Sequence, residues 1–210
     1  MVLQARAADP GSDVSQPLEV WFEFASTYSY VAVQRVEAVA ARAGVTLAWR
    51  PFLLGPIFQK QGWNDSPFNI YPVKGAYMWR DVERLCAKHE IPFRKPSQFP
   101  RNGLLAARAA LASESEPWLG SFVRLVYLGN FAEDADIADP ARVTDWLVRA
   151  GCADPAAALA RAGSDETKQR LRARTDEAIA RGIFGAPTFV RNGELFWGND
   201  RLEDALAWRP

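Results

Sequence analysis

The chain has 210 residues, 49% apolar, 12% aromatic and 24% charged, with 25 basic side chains balanced by 25 acidic ones. This composition excludes disordered, collagen-like and disulfide-scaffold classes, and zero net charge gives no global field favouring nucleic acid or an anionic membrane. Cys86 and Cys152 are too far apart for a CxxC pair, and His89 is the sole histidine, so multi-histidine zinc sites and triads are disfavoured. No apolar run approaches the roughly 18 residues of a membrane span. Residues 1–17 lack the basic and apolar regions of a signal peptide and read as a flexible leader, so a cytoplasmic protein is expected.

Leu18 to Phe24 is an apolar run of strand length. A helix is predicted from about Tyr30 to Ala43, closed by Gly44, with Val33, Val36 and Ala40 inward. A second strand over Thr46 to Phe52 completes a β-α-β unit, which favours a parallel pair. From about Pro56 to Gly163 strand signals are sparse. Helices are predicted near 74–90, 102–114, 117–130, 140–150 and 155–162, and the first carries a stripe of Met78, Val82, Leu85, Cys86 and His89. A further helix spans about Asp165 to Arg181. Strands on either side of Asn192-Gly193 form a hairpin, and a last helix begins at Asp200. The expected organisation is an α/β domain over 18–55 and 164–210, interrupted by a helical insertion over 56–163.

Several residues invite two readings. Ser26 and Ser29, between the first strand and its helix, either cap the helix or add a hydroxyl donor to an anion-binding helix end. Pro187 either rigidifies a turn or leaves the Ala186 backbone open to an extended, peptide-like ligand. Asn199 and Asp200 open the final helix, where Asp200 with Glu203 resembles a capping box or, alternatively, supplies a carboxylate for an amine. Lys74, on the inward side of a first helical turn, either snorkels at a rim or faces an anion. Asn64 sits in a loop where a turn role is the default. Cys86 reads as core rather than nucleophile, and Trp63 and Trp197 adjoin the candidate site.

Five segments, FEFASTYSYVA, WRPFLLGPIF, YPVKGAYMWRD, IFGAPTFV and FWGNDRLEDAL, occur in an order and spacing that resembles the 2-hydroxychromene-2-carboxylate isomerases. These are bacterial relatives of the kappa-class glutathione transferases on a DsbA-like, thioredoxin-like fold with a large helical insertion, and the resemblance covers about residues 18 to 208. It implies that Ser26 replaces the first cysteine of a thioredoxin motif, so that the thiol is borrowed from glutathione. Lowering a thiol pKa from about 8.5 by one to two requires roughly 1.4–2.7 kcal/mol, within reach of one charge-assisted hydrogen bond and a helix terminus. The resemblance further implies that Ala186 and a cis Pro187 hold the cysteinyl unit. Asn199 and Asp200 would hold the γ-glutamyl end, with Asn64 and Lys74 bordering the site. Thr27 departs from the proline common after that serine. The implied activity is a glutathione-dependent isomerisation of a small aromatic substrate by a homodimer, with a kappa-like transferase or peroxidase and a non-catalytic binding module as the alternatives.

Overall fold

The structure, a computed structural model, describes residues 16–209. The leader expected over 1–17 therefore lies, but for its last two residues, outside the described residues. All described strands fall at the two ends of the chain: β1 (Leu18–Phe22), β2 (Leu47–Pro51), β3 (Thr188–Arg191) and β4 (Glu194–Trp197). They form one sheet in the order β2-β1-β3-β4. β1 pairs parallel with β2 and antiparallel with β3, and β3 turns back into β4 as the expected hairpin.

Alternation along β1 places the sheet between two layers. Leu18 and Val20 pack with Phe189 against α1 (Thr27–Arg42) and α10 (Leu202–Ala207). Trp21 faces the other way, with Phe52 and Val190, against α9 (Asp165–Ala180) and Ile57 of α2 (Leu54–Lys60). Both faces are covered, which explains why β1 reads as a near-continuous apolar run.

Between β2 and β3 the described chain is helical: α2, α3 (Pro67–Ile70), α4 (Pro72–Lys88), α5 (Leu104–Ala112), α6 (Leu119–Phe131), α7 (Pro140–Ala150), α8 (Pro155–Gly163) and α9. The predicted helices are present with small boundary shifts. α2 and α3 were not anticipated, because Gly55-Pro56 punctuates the first and the second is a single turn. The stripe of α4 packs as predicted: Met78, Val82 and Cys86 are buried and Leu85 and His89 half-buried. This helical core joins the sheet through stacked rings, where Tyr127 and Phe131 lie against Tyr30 and Tyr127 also meets Phe24.

Candidate functional site

α1 begins at Thr27, three residues before the predicted start, because Ser26 is its N-cap: Ser26 Oγ accepts from the Ser29 amide at 3.2 Å. Capping is therefore done by Ser26 rather than Ser29. The same hydroxyl donates to the Ala186 carbonyl oxygen at 2.8 Å, joining residues 160 apart in sequence. Among the described residues, the Thr27 and Tyr28 amides have no protein acceptor, so the positive end of a 16-residue helix opens beside Ser26.

Ser26 lies on the wall of a cleft of about 1160 Å3 between the sheet ends and the helical segment. Asn64, Lys74, Ala186, Asn199 and Asp200 line the same cleft. Pro187 does not; it stands behind Ala186 through a cis peptide bond, its carbonyl accepting from the Gly198 amide at 3.0 Å. Gly185 permits a close approach here, since an added Cβ would lie 2.4 Å from the Trp197 indole nitrogen. Trp197 in turn packs on Phe184 at 4.8 Å between ring centroids at the cleft's edge.

Asn199 is buried within a 3₁₀ turn (Asn199–Arg201), and no side chain caps that turn. The Asp200–Glu203 capping box does not form; Asp200 is exposed and lies 3.6 Å from Arg201. In the loop before α3, Asp65 and Ser66 take the turn role: Asp65 accepts from the Ser66 amide at 2.6 Å and from Asn69 at 3.1 Å. Asn64 is exposed and makes no hydrogen bond among the described residues. Lys74 is exposed on the cleft rim rather than on the inward stripe; Gly75 is the buried residue there. Its ammonium lies 5.8 Å from the Phe68 ring centroid, and among the described residues no carboxylate pairs with it.

The helical segment lines the cleft with Met78 and Leu85 of the α4 stripe and with residues that sequence patterns did not single out. Phe58, Phe68, Tyr77, Met78, Leu85, Phe99 and Leu104 supply its apolar lining. Polar residues also line it, among them one hydrogen-bonded pair: the Tyr28 hydroxyl donates to Asp81 at 3.0 Å, and burial together with Asp81 pushes the phenol well above its ordinary pKa. Glu23, at the end of the β1 run, also lines the cleft, and burial raises its carboxyl to about 7 against the lowering effect of the Ala25 amide. Two glutamates, Glu19 and Glu23, interrupt the apolar run Leu18–Phe24, and that interruption is the available signal for Glu23. Neither cysteine lines the cleft. Cys86 is enclosed in the helical core, where burial pushes its thiol up to about 12.

No described helix is long and apolar enough to cross a membrane, and no described group of three or more His, Cys, Asp or Glu is arranged to hold a metal. Residues 17–207 match the model of the DSBA-like thioredoxin domain. The chain is 30% identical to a 2-hydroxychromene-2-carboxylate isomerase of Sphingobium xenophagum, over 90% of this chain and 96% of that one. It is 25% identical to glutathione S-transferase kappa 1 of Rattus norvegicus, over 89% of this chain and 87% of the other. A solved structure of a 2-hydroxychromene-2-carboxylate isomerase superposes with a TM-score of 0.77 at 27% identity, covering 89% of this chain and 91% of that one. The sheet order, the helical segment inserted in it and these matches together make the chain a member of the DSBA-like thioredoxin family, with isomerases and kappa-class transferases among its relatives.

Proposed function

We propose that this protein is a glutathione-dependent isomerase of small aromatic substrates like 2-hydroxychromene-2-carboxylate, giving products of the trans-o-hydroxybenzylidenepyruvate type. The observation that carries this reading is the Ser26 hydroxyl at the open N-terminus of α1, in contact with Ala186 and facing a cleft without a cysteine. When bound, glutathione supplies the missing thiol, a nucleophile able to add reversibly to an electron-poor carbon.

The donor set suits an amphoteric tripeptide. Ala186 offers a backbone edge, Asn199 a nearly buried amide, Asp200 a carboxylate for an ammonium, and Lys74 and Asn64 a cation and an amide for a carboxylate. In this reading Ser26 stabilises sulfur as thiolate. Turning its hydroxyl hydrogen from the Ala186 carbonyl toward the cleft needs only rotation about the Cβ–Oγ bond. The α1 terminus adds to the same preference for negative charge. The apolar wall of Phe68, Tyr77, Met78 and Phe99 shelters the aromatic ring and excludes water. The reading includes a cytoplasmic homodimer.

Turnover of a hydroxychromene carboxylate with and without glutathione tests it. A mass-neutral product formed only with glutathione is the expected result; undiminished turnover without it overturns the proposal. The rat kappa-class relative supports a second reading, a transferase or peroxidase. A stable conjugate or oxidised glutathione would favour that one.

A further inference from the structure

Two glutamates stand four residues apart along β1 and its exit, and the fold treats them differently. Glu19 is held by Arg181 at 2.8 Å and Arg50 at 3.6 Å, and it accepts from the Trp21 indole at 3.0 Å. Glu23 has no cation partner among the described residues. Its carboxylate accepts from the Ala25 amide at 3.0 Å, folding the side chain back over the turn that leads into Ser26. Its own carbonyl accepts from the Ser26 amide at 2.9 Å and the Tyr127 hydroxyl at 2.7 Å, so backbone and side chain are both fixed. The space beside it is kept open by Gly103, where an added Cβ would lie 3.5 Å from Glu23 Oε1 and 2.9 Å from Phe24 Cβ.

The titratable and charged groups around Glu23 leave its charge uncompensated. From α6, Tyr127 is a buried phenol held far above its ordinary pKa, so it stays neutral. From the segment before α5, Arg101 is engaged with Asp134 and with Asn130 at 3.2 Å. Tyr28 and Asp81 are bonded to each other. The remaining charged cleft residues, Lys74, Asp65, Asp200 and Arg201, line the same cleft, and none of them pairs with Glu23.

We propose that Glu23 is the proton acceptor and donor of this site, serving the thiol that enters beside Ser26; this rests on the glutathione reading above. In the forward step the Glu23 carboxylate takes the thiol proton: the S–H bond breaks, its electron pair stays on sulfur, and an O–H bond forms at Glu23. When the substrate oxygen accepts the electron pair released by addition, Glu23 returns that proton to it, and elimination reverses both transfers. Protons and electrons balance with no outside reagent. A carboxyl that titrates near neutrality is suited to both directions.

Proton counting by calorimetry tests this. Glutathione is titrated into the wild-type protein and Glu23→Gln in buffers of different ionisation heat, on the alkaline side of the Glu23 titration. The wild type is expected to retain the proton and release almost none. Glu23→Gln is expected to bind with similar Kd and release up to about one proton per site, with about 100-fold lower kcat/KM. Equal proton release from both overturns the role of Glu23 while leaving the glutathione reading intact; no binding heat in the wild type overturns both. Should Glu23→Gln not fold, carboxyl-carbon NMR of the wild type decides: the Glu23 titration must move up when glutathione is added, and an unmoved titration overturns the proposal.

Discussion

The two walls of the cleft differ in kind. The wall built from the sheet ends presents a capped helix terminus, the Ala186 backbone, the nearly buried Asn199 and the exposed Asp200. The wall built from α2 to α5 presents rings and aliphatic chains, with Asn64, Lys74 and Arg101 among its polar residues and Asp81 bonded to Tyr28 of α1. A polar wall with fixed backbone directions reads a ligand's functional groups, whereas an apolar wall reads its size and shape. The first is set by strand and helix ends that the sheet holds rigidly. The second is set by how the helices between β2 and β3 pack.

The largest effect expected is on stability, at the seam between the walls. Burial raises the Glu23 carboxyl from its ordinary 4.5 to about 7, so the folded protein binds this proton more tightly than the unfolded chain. Stability from this group is full below pH 4.5 and is lost as pH rises to about 7, at a total cost of about 3 kcal/mol. Glu23→Gln should therefore raise the denaturant midpoint at pH 8 and give no comparable gain at pH 4; an equal shift at both would contradict the assignment.

On the polar wall, Ser26→Ala should lower kcat/KM by about 100-fold and stability by about 1 kcal/mol, the usual weight of an N-cap. Kinetics and thermal melts separate the two. On the apolar wall, Gly75→Ala places a Cβ 2.1 Å from the Phe68 carbonyl oxygen and should cost about 2 kcal/mol by overpacking α3 against α4. Its signature is a raised KM for the aromatic substrate with glutathione Kd unchanged. Asp200→Asn should do the reverse at the smallest scale, weakening glutathione about tenfold in a binding titration while leaving the aromatic KM alone. If Gly75→Ala and Asp200→Asn moved both ligands equally, the division of labour between the walls would be wrong.

The polar wall was largely legible in the sequence, because its residues lie at element boundaries that punctuation marks. Ser26 follows an apolar run, Ala186-Pro187 precedes a strand, and Gly198-Asn199 breaks one. The apolar wall was not. Met78 and Leu85 read as a core stripe, but periodicity identifies an inward face and cannot say whether that face meets other side chains or a cavity. Phe58 and Phe68 sit in or beside α2 and α3, the helices whose shortness and Gly55-Pro56 hid them. Asp81 reads locally as an exposed helical carboxylate, and only the tertiary contact with Tyr28 places it in the cleft. Ser26 does more than the capping that local sequence suggests: its oxygen accepts from the Ser29 amide while its hydrogen reaches the Ala186 carbonyl.

That last contact has a consequence for biosynthesis. Ser26 is translated early and Ala186 is translated 160 residues later, and the β1 edge that receives β3 must wait equally long. Until the hairpin emerges from the ribosome, β1 is paired on one side only, and such late closure is entropically slow. In the proposed glutathione reading, complete ligand capture requires the finished chain, since Asn199 and Asp200 follow the hairpin in sequence.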